Sequence, residues 1–221
     1  MTLVSGFGMG NGLGDLVFGQ DTPDDTSDDY TYKRGITFNT MEVAELLLGT
    51  GNDTVTIKST DADTVTVVHG GAGSDHIMVE ASSGPLVIYG DTSADGSRYT
   101  STPENPTGTA YKWTNNPNFT YSDVIDASAS SGFVVAYGGI GDDIIRGGSA
   151  GDFLAGGEGD DVIFGNGGND FIFGDSGINA DPHKRTVQIV DTDSAGKDII
   201  YGGTGDDVVF GDQGNVSVYA A

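Results

Sequence analysis

Residues 138–173 read GGIGDDIIR GGSAGDFLA GGEGDDVIF GNGGNDFIF, four nonapeptides without a gap. Each opens with six turn-forming residues and closes with three that suit a strand. Glycine in the turn permits positive φ and close backbone approach. The middle strand residue is aliphatic every time: Ile145, Leu154, Ile163 and Ile172. A nine-residue period that returns one aliphatic residue to one phase describes a solenoid, in which each unit buries its inner face only against its neighbours. Two more units follow, GGTGDDVVF at 202–210 and GDQGNVSVY at 211–219, with Val209 and Val218 in the inward phase, which Ile200 holds just before them. Looser copies, LGTGNDTVT at 48–56 and GGAGSDHIM at 70–78, precede the run, and GLGDLVFG at 12–19 is a degenerate echo.

Composition agrees. Glycine accounts for 37 of 221 residues, and 33 acidic side chains face 9 basic ones, a net charge of -24. The acids are 28 Asp and 5 Glu. Aspartate is a poor helix former, so a helical bundle is excluded. Asp with Gly suits turns and oxygen ligation of a hard cation. Nucleic acid is excluded as a direct partner, since phosphate binding needs clustered Lys and Arg. Cysteine is absent, so neither disulfides nor thiolate metal sites can form. No stretch approaches the roughly 18 apolar residues of a membrane span, and the amino terminus has no basic flank or apolar run of signal-peptide length.

The repeat predicts a metal site. Successive turns fall on opposite edges of a two-sheet roll, so turns two repeats apart stack. Stacking brings two Asp carboxylates and several peptide carbonyls around one point, a cage of six or seven oxygens that suits Ca2+ better than Mg2+. On one edge Asp143 faces Asp161; on the other Asp152 faces Asp170. Residues 174–198 read as one swollen turn; removing 19 residues puts Asp198 opposite Asp161 and Asp207 opposite Asp170. In the amino-terminal half Asp53 faces Asp75. The turn glycines Gly139, Gly141, Gly157, Gly159, Gly203 and Gly205 complete the candidate metal residues. About five cages result, each ion cancelling two charges. The last turn has Val216 where Asp belongs, and no good site is expected there.

The nonapeptides resemble the RTX, or haemolysin-type calcium-binding, repeats of bacterial proteins exported by type I secretion. The stretches LVIYGDTSADGSRYT, SDVIDASASSG and VVAYGGIGDDIIRGG within 86–148 are similar to segments of very large bacterial surface proteins and adhesins. The resemblance implies an all-β parallel β-roll, calcium inside its turns, and folding outside the cell where calcium is met. Ala150, Asn166, Asp212, Val216 and the swollen turns depart from the repeat. The usual carboxy-terminal export signal is not evident in GNVSVYAA, which suggests an excerpt of a longer protein.

One continuous solenoid with loop insertions is therefore expected. Residues 1–48 form a capping region with the degenerate repeat and an acidic loop. Residues 49–137 form an irregular roll with the 90–122 insertion, and 138–221 a regular roll with the 174–198 insertion. Swollen turns at 19–35, 90–122 and 174–198 interrupt the coil, the latter two on the same edge. Thr40–Leu48 has good helix formers, yet it leads into a GTGND turn, so a strand is expected.

The 90–122 insertion opens Asp91-Thr-Ser93-Ala-Asp95-Gly96, the spacing that begins an EF-hand loop. Its twelfth position is Thr102 rather than Glu, so the full motif fails; a local calcium loop and an Asx-rich turn both fit. Tyr99, Tyr111, Trp113, Phe119 and Tyr121 could stack on a surface glycan or cover the roll's flank. That flank needs cover, because Phe153, Phe171 and Val208 fall in one outward column and Phe173 and Phe210 in a second. A contiguous apolar patch would otherwise be bare, so inserted loops or a neighbouring domain should pack there.

No catalytic site is expected. Gly147-Gly-Ser149-Ala-Gly151 matches GxSxG but lacks the strand-to-helix setting of a nucleophile elbow. His69, His76 and His183 are scattered. Asp181-Pro182 resembles the bond cut in calcium-triggered self-cleavage of some RTX exoproteins, but HKRTVQ after it does not resemble that module. Three functions stay open: an extracellular structural or adhesive module, a carbohydrate-binding module, and the non-catalytic tail of an exoenzyme.

Overall fold

A computed structural model describes residues 41–95, 121–191 and 195–212, and strand backbone at 2–5, 16–18, 30–32 and 36–38. No helix occurs among the described residues. Strands β1 (Thr2–Ser5), β2 (Leu16–Phe18), β3 (Tyr30–Tyr32) and β4 (Ile36–Phe38) precede β5 (Val43–Thr50), β6 (Thr54–Ser59), β7 (Val65–Ala72), β8 (His76–Val79) and β9 (Leu86–Tyr89). Then come β10 (Val124–Asp126), β11 (Val134–Ile140), β12 (Ile144–Arg146), β13 (Phe153–Glu158), β14 (Val162–Phe164) and β15 (Phe171–Phe173). Last are β16 (Ser176–Asp181), β17 (Thr186–Asp191), β18 (Ile199–Tyr201) and β19 (Val208–Phe210).

From β5 onward the coil alternates between two sheets. One runs β18-β14-β12-β10-β8-β6 and continues into β1 and β4; the other runs β19-β15-β13-β11-β9-β7-β5. Pairing within the coil is parallel: Ile145 lies between Ile125 and Ile163, and Leu154 between Ala136 and Ile172. This is the expected β-roll. The Thr40–Leu48 stretch forms most of β5 and pairs with β7, so it starts the roll as a strand. The echo at 12–19 behaves differently: its strand β2 pairs antiparallel with β3 in a separate ribbon instead of stacking on a coil.

The core is the thin layer between the sheets. Val55, Ile57, Ile77, Ile88, Ile125, Ile145, Leu154, Ile163 and Ile172 fill it and are buried. In three-residue strands such as β12 and β14 the buried residue is the middle one, and in the longer β6 both Val55 and Ile57 face inward, because only alternate strand residues do so. Ile200 is partly buried, and Val209 is 46% exposed at the last described coil. Val216 and Val218 lie outside the described residues.

A second apolar cluster sits on the outer face of the seven-stranded sheet. The insertion at 174–198 is no loose turn: β16 and β17 form an antiparallel hairpin in register Ser176↔Asp191 to Asp181↔Thr186. Its Ile178, Ala180 and Ile189 pack with Tyr89, Val135, Tyr137 and Phe173. Phe173 is fully buried beneath it. Phe153 stacks on Phe171 at 4.9 Å and Phe173 on Phe210 at 5.2 Å, the two expected columns. The Tyr89 hydroxyl accepts from the Ala180 amide at 3.0 Å, which ties hairpin to sheet. The start of the other insertion joins the same flank, as the Ala94 amide donates to the Ile178 carbonyl. Tyr99, Tyr111, Trp113 and Phe119 lie outside the described residues.

Candidate calcium centre

In the turns that end in Asp, the side chain of that sixth residue folds back over the first glycine of its own turn, as Asp143 does over Gly138 and Asp161 over Gly156. The coil then stacks these residues into ladders. The Asp143 amide donates to Asp161 Oδ1 at 2.8 Å, and the Asp161 amide donates to Asp198 Oδ1 at 3.0 Å. Further up the same edge, the Asp53 amide donates to Asp75 Oδ1 at 2.7 Å. On the opposite edge the Asp152 amide donates to Asp170 Oδ1 and the Asp170 amide to Asp207 Oδ1. All five expected pairs are therefore neighbours in one of two ladders.

The first ladder holds a residue that the sequence reading passed over. Asp123 joins Asp75 to Asp143: the Asp75 amide donates to Asp123 Oδ1 at 2.6 Å, and the Asp123 amide to Asp143 Oδ1 at 2.7 Å. The signal was present, because Asp123 precedes inward Ile125 by two residues, as Asp143 precedes Ile145. The 90–122 insertion hid it by separating Asp123 from the glycines of its turn. Outer contacts on both edges were also unread. Asn52, Asp142, Asp160 and Asn169, at the fifth turn position, each accept a backbone amide from the turn stacked on them.

Six carboxylates of the inner ladders use only one oxygen. Oδ2 of Asp75, Asp123, Asp143, Asp161, Asp170 and Asp198 is buried without a hydrogen-bond partner. A buried ionised oxygen without a partner is costly unless a cation meets it. Burial accordingly pushes these carboxyls far up: Asp75 and Asp170 to about 6, Asp161 to about 7, Asp123 to about 8 and Asp143 to about 10, while Asp198 is raised. Backbone amide donors oppose the shift and neighbouring aspartates add to it. Asp123 and Asp143 hold their protons at neutral pH unless a cation meets them.

Glycine makes room for these oxygens. A Cβ on Gly138, Gly156 or Gly165 would come within 3 Å of Oδ2 of Asp143, Asp161 or Asp170, and of the Gly156 or Gly202 peptide oxygen in the first and last cases. Gly139, Gly141, Gly157, Gly159, Gly203 and Gly205 all have positive φ, and the peptide oxygen of an earlier turn stands under Gly157, Gly159, Gly203 and Gly205. No three acidic or histidine side chains converge on a point among the described residues. The donor set of a cage is thus paired carboxylates plus peptide oxygens, which fits a hard cation of calcium's size and coordination number.

Asp152 differs. Its Oδ1 accepts from the Val134 amide and its Oδ2 from the Gly148 amide, at 2.9 and 2.7 Å. The turn 147–152 carries Ala150 in place of a turn glycine, and its carboxylate is held by backbone instead. Asn166 adopts φ 71°, the left-handed geometry that Asn tolerates, and so keeps the next turn of that edge regular. In the GxSxG stretch, Ser149 is exposed and its hydroxyl donates to the Ser130 carbonyl. His76 is exposed, whereas His69 is buried, stacked on Tyr89 and 3.4 Å from Glu45. Asp181 accepts from the His183 and Lys184 amides, the geometry of an ordinary Asx turn.

Comparison with known proteins agrees with this geometry. The model of the RTX calcium-binding nonapeptide repeat matches residues 121–154, 146–180 and 192–218. No curated protein matches the chain. No solved structure matches it either. Asp53 and Asp75 lie outside the matched residues but continue the same ladder without a break. Within residues 121–180 and 192–218 the chain therefore carries RTX calcium-binding nonapeptide repeats.

Proposed function

We propose that this chain is a calcium-dependent structural module of a secreted bacterial protein, folded by calcium after export and serving as a spacer or adhesive segment at the cell surface. The observation that carries this reading is the row of buried Oδ2 atoms that no protein donor meets. With calcium absent, these carboxylates repel one another within a net charge of -24. Calcium binding then becomes folding free energy, as in other small metal-dependent domains. Low cytosolic calcium would keep the chain extended for export, and millimolar external calcium would fold it. Export and surface location rest on the RTX repeats, which are typical of secreted bacterial proteins.

The module is proposed to be non-catalytic. The one nucleophile motif lies in a repeat turn, and its Ser149 hydroxyl is engaged by backbone. Circular dichroism of calcium-stripped protein titrated with calcium tests the coupling. Strand signal should grow cooperatively with calcium and vanish with chelator; a signal indifferent to both would refute it.

A further inference from the structure

The two long insertions enter the coil at the same place in the turn. Uninterrupted turns on that edge begin Gly70-Gly71, Gly138-Gly139 and Gly156-Gly157; the interrupted ones begin Gly90-Asp91 and Gly174-Asp175. The chain rejoins the coil at the fourth turn position. Tyr121 offers its peptide oxygen beneath Gly141, as Gly141 does beneath Gly159, and Gly196 sits over the Gly159 oxygen. Insertion thus splits a turn between its second and fourth residues, and in both cases the second residue is Asp.

What Asp91 does there is visible by comparison with whole turns. The space beside Gly157 that a Cβ would take is filled by the Gly139 peptide oxygen; beside Gly71 it is filled by the Gly49 oxygen, and beside Gly203 by the Asn166 oxygen. Beside Gly139 it is filled by Oδ2 of Asp91. The next amide follows suit. Thr204 donates to the Asn166 peptide oxygen at 2.9 Å, whereas Ile140 donates to Asp91 Oδ2 at 3.0 Å. A side-chain carboxylate has taken the position of a backbone carbonyl, and it is buried, 4% exposed. Asp175 is fully buried, and its Oδ1 accepts from the Gly196 amide at 2.5 Å, across the second split.

Partnerless oxygens point into both split turns. Oδ2 of Asp123, a residue 1% exposed, lies over Gly90 beside the Gly138 peptide oxygen, and Oδ2 of Asp198 lies over Gly174. We propose that Asp91 and Asp175 are cation ligands particular to the split turns, Asp91 supplying a carboxylate oxygen where a whole turn supplies the peptide oxygen of its second residue and Asp175 supplying one from inside its own split turn. A turn whose chain leaves for a long excursion holds its carbonyls less firmly, and an added anionic ligand restores affinity, since ligand charge tunes calcium binding. The same exchange lets the roll accept an insertion without losing the site beneath it.

This inference rests on the calcium reading above. Calcium-stripped full chain, Asp91→Asn, Asp175→Asn and, as a control, Asp63→Asn at an exposed position outside the ladders are titrated with calcium by calorimetry. Asn keeps an oxygen at the site and loses only the charge. One class of sites should weaken about tenfold or disappear in each of the first two variants, while Asp63→Asn matches the unaltered chain. Unaltered isotherms for Asp91→Asn and Asp175→Asn would overturn the proposal. Should either variant fail to fold, crystals of the unaltered chain grown with calcium give the second readout. An Asp91 or Asp175 oxygen at roughly 2.3–2.6 Å from a cation supports the assignment; cations that neither residue touches overturn it. No calcium uptake by the unaltered chain would instead sink the calcium reading itself.

Discussion

At the residue scale, the first glycine of a turn is as important as its aspartate. Gly156 leaves room for Oδ2 of Asp161, and a methyl there would meet the Asp161 carboxylate within 3 Å. Gly156→Ala should therefore destabilise the calcium-loaded roll by about 1–3 kcal/mol, the usual cost of overpacking, and raise the calcium needed for half-folding in a circular dichroism titration. Gly211, with open space at its Cβ position, is the matched control and should tolerate Ala. The carboxyls also set a pH dependence. Their folded-state values, about 6 to about 10, lie above the ordinary 3.8. The ion-free roll is therefore favoured most below pH 3.8, and loses stability as pH rises through that value toward the folded ones, because the unfolded chain then gives up protons that the folded one retains. Calcium-stripped protein should gain strand signal near pH 4 and lose it toward pH 8. With calcium the sign reverses, since protons compete for the same oxygens and acidification should weaken binding. Ion-free strand content that rises with pH would contradict the first expectation, and calcium binding that tightens on acidification the second.

At the element scale, the hairpin of β16 and β17 serves as a lid on one flank. Ile178 packs among Tyr89, Tyr137 and Phe173, and none of these is a turn residue. Ile178→Ala should cost about 2–5 kcal/mol, as for other buried large-to-small changes. It should lower the thermal midpoint of the calcium-loaded protein and leave calcium stoichiometry unchanged; a lost ion would mean that the hairpin shapes the turns too. This element also marks the limit of what the sequence revealed. The period of nine placed Ile145, Leu154, Ile163 and Ile172 in the core and stacked the named aspartates, because turn chemistry and inward phase are local and repeat. The outward Phe columns showed that the flank needed a cover. That the cover is a β-hairpin was not legible, since TVQIVD at 186–191 and its partner SGINAD have no repeat to betray them, and their pairing is set by contact with Tyr89 and Phe173. Asp123 and the role of Asp91 were hidden for a related reason: both belong to a turn whose halves are separated by residues 92–120, and only the fold rejoins them.

At the scale of the whole molecule, a core one side chain thick must balance the charge of an acidic polymer. The interior holds only one or two apolar side chains per strand, whereas the two edges concentrate buried carboxylates. Screening by a monovalent salt reaches exposed charges but cannot supply ligands to oxygens already out of water. Sodium chloride at high concentration should thus contract the calcium-free chain without restoring strand signal, and magnesium, which demands closer octahedral ligands and keeps its waters, should restore less than calcium does. Small-angle scattering separates the cases. A 221-residue chain has a radius of gyration of about 17 Å when compact and about 50 Å when unfolded, and a roll falls somewhat above the compact figure. Calcium should collapse the radius and raise the strand signal over the same concentration range, because the ions that neutralise the ladders are the ions that complete the turns. If sodium chloride alone produced both changes, general charge repulsion would govern folding and the stacked oxygens would not be acting as ligands.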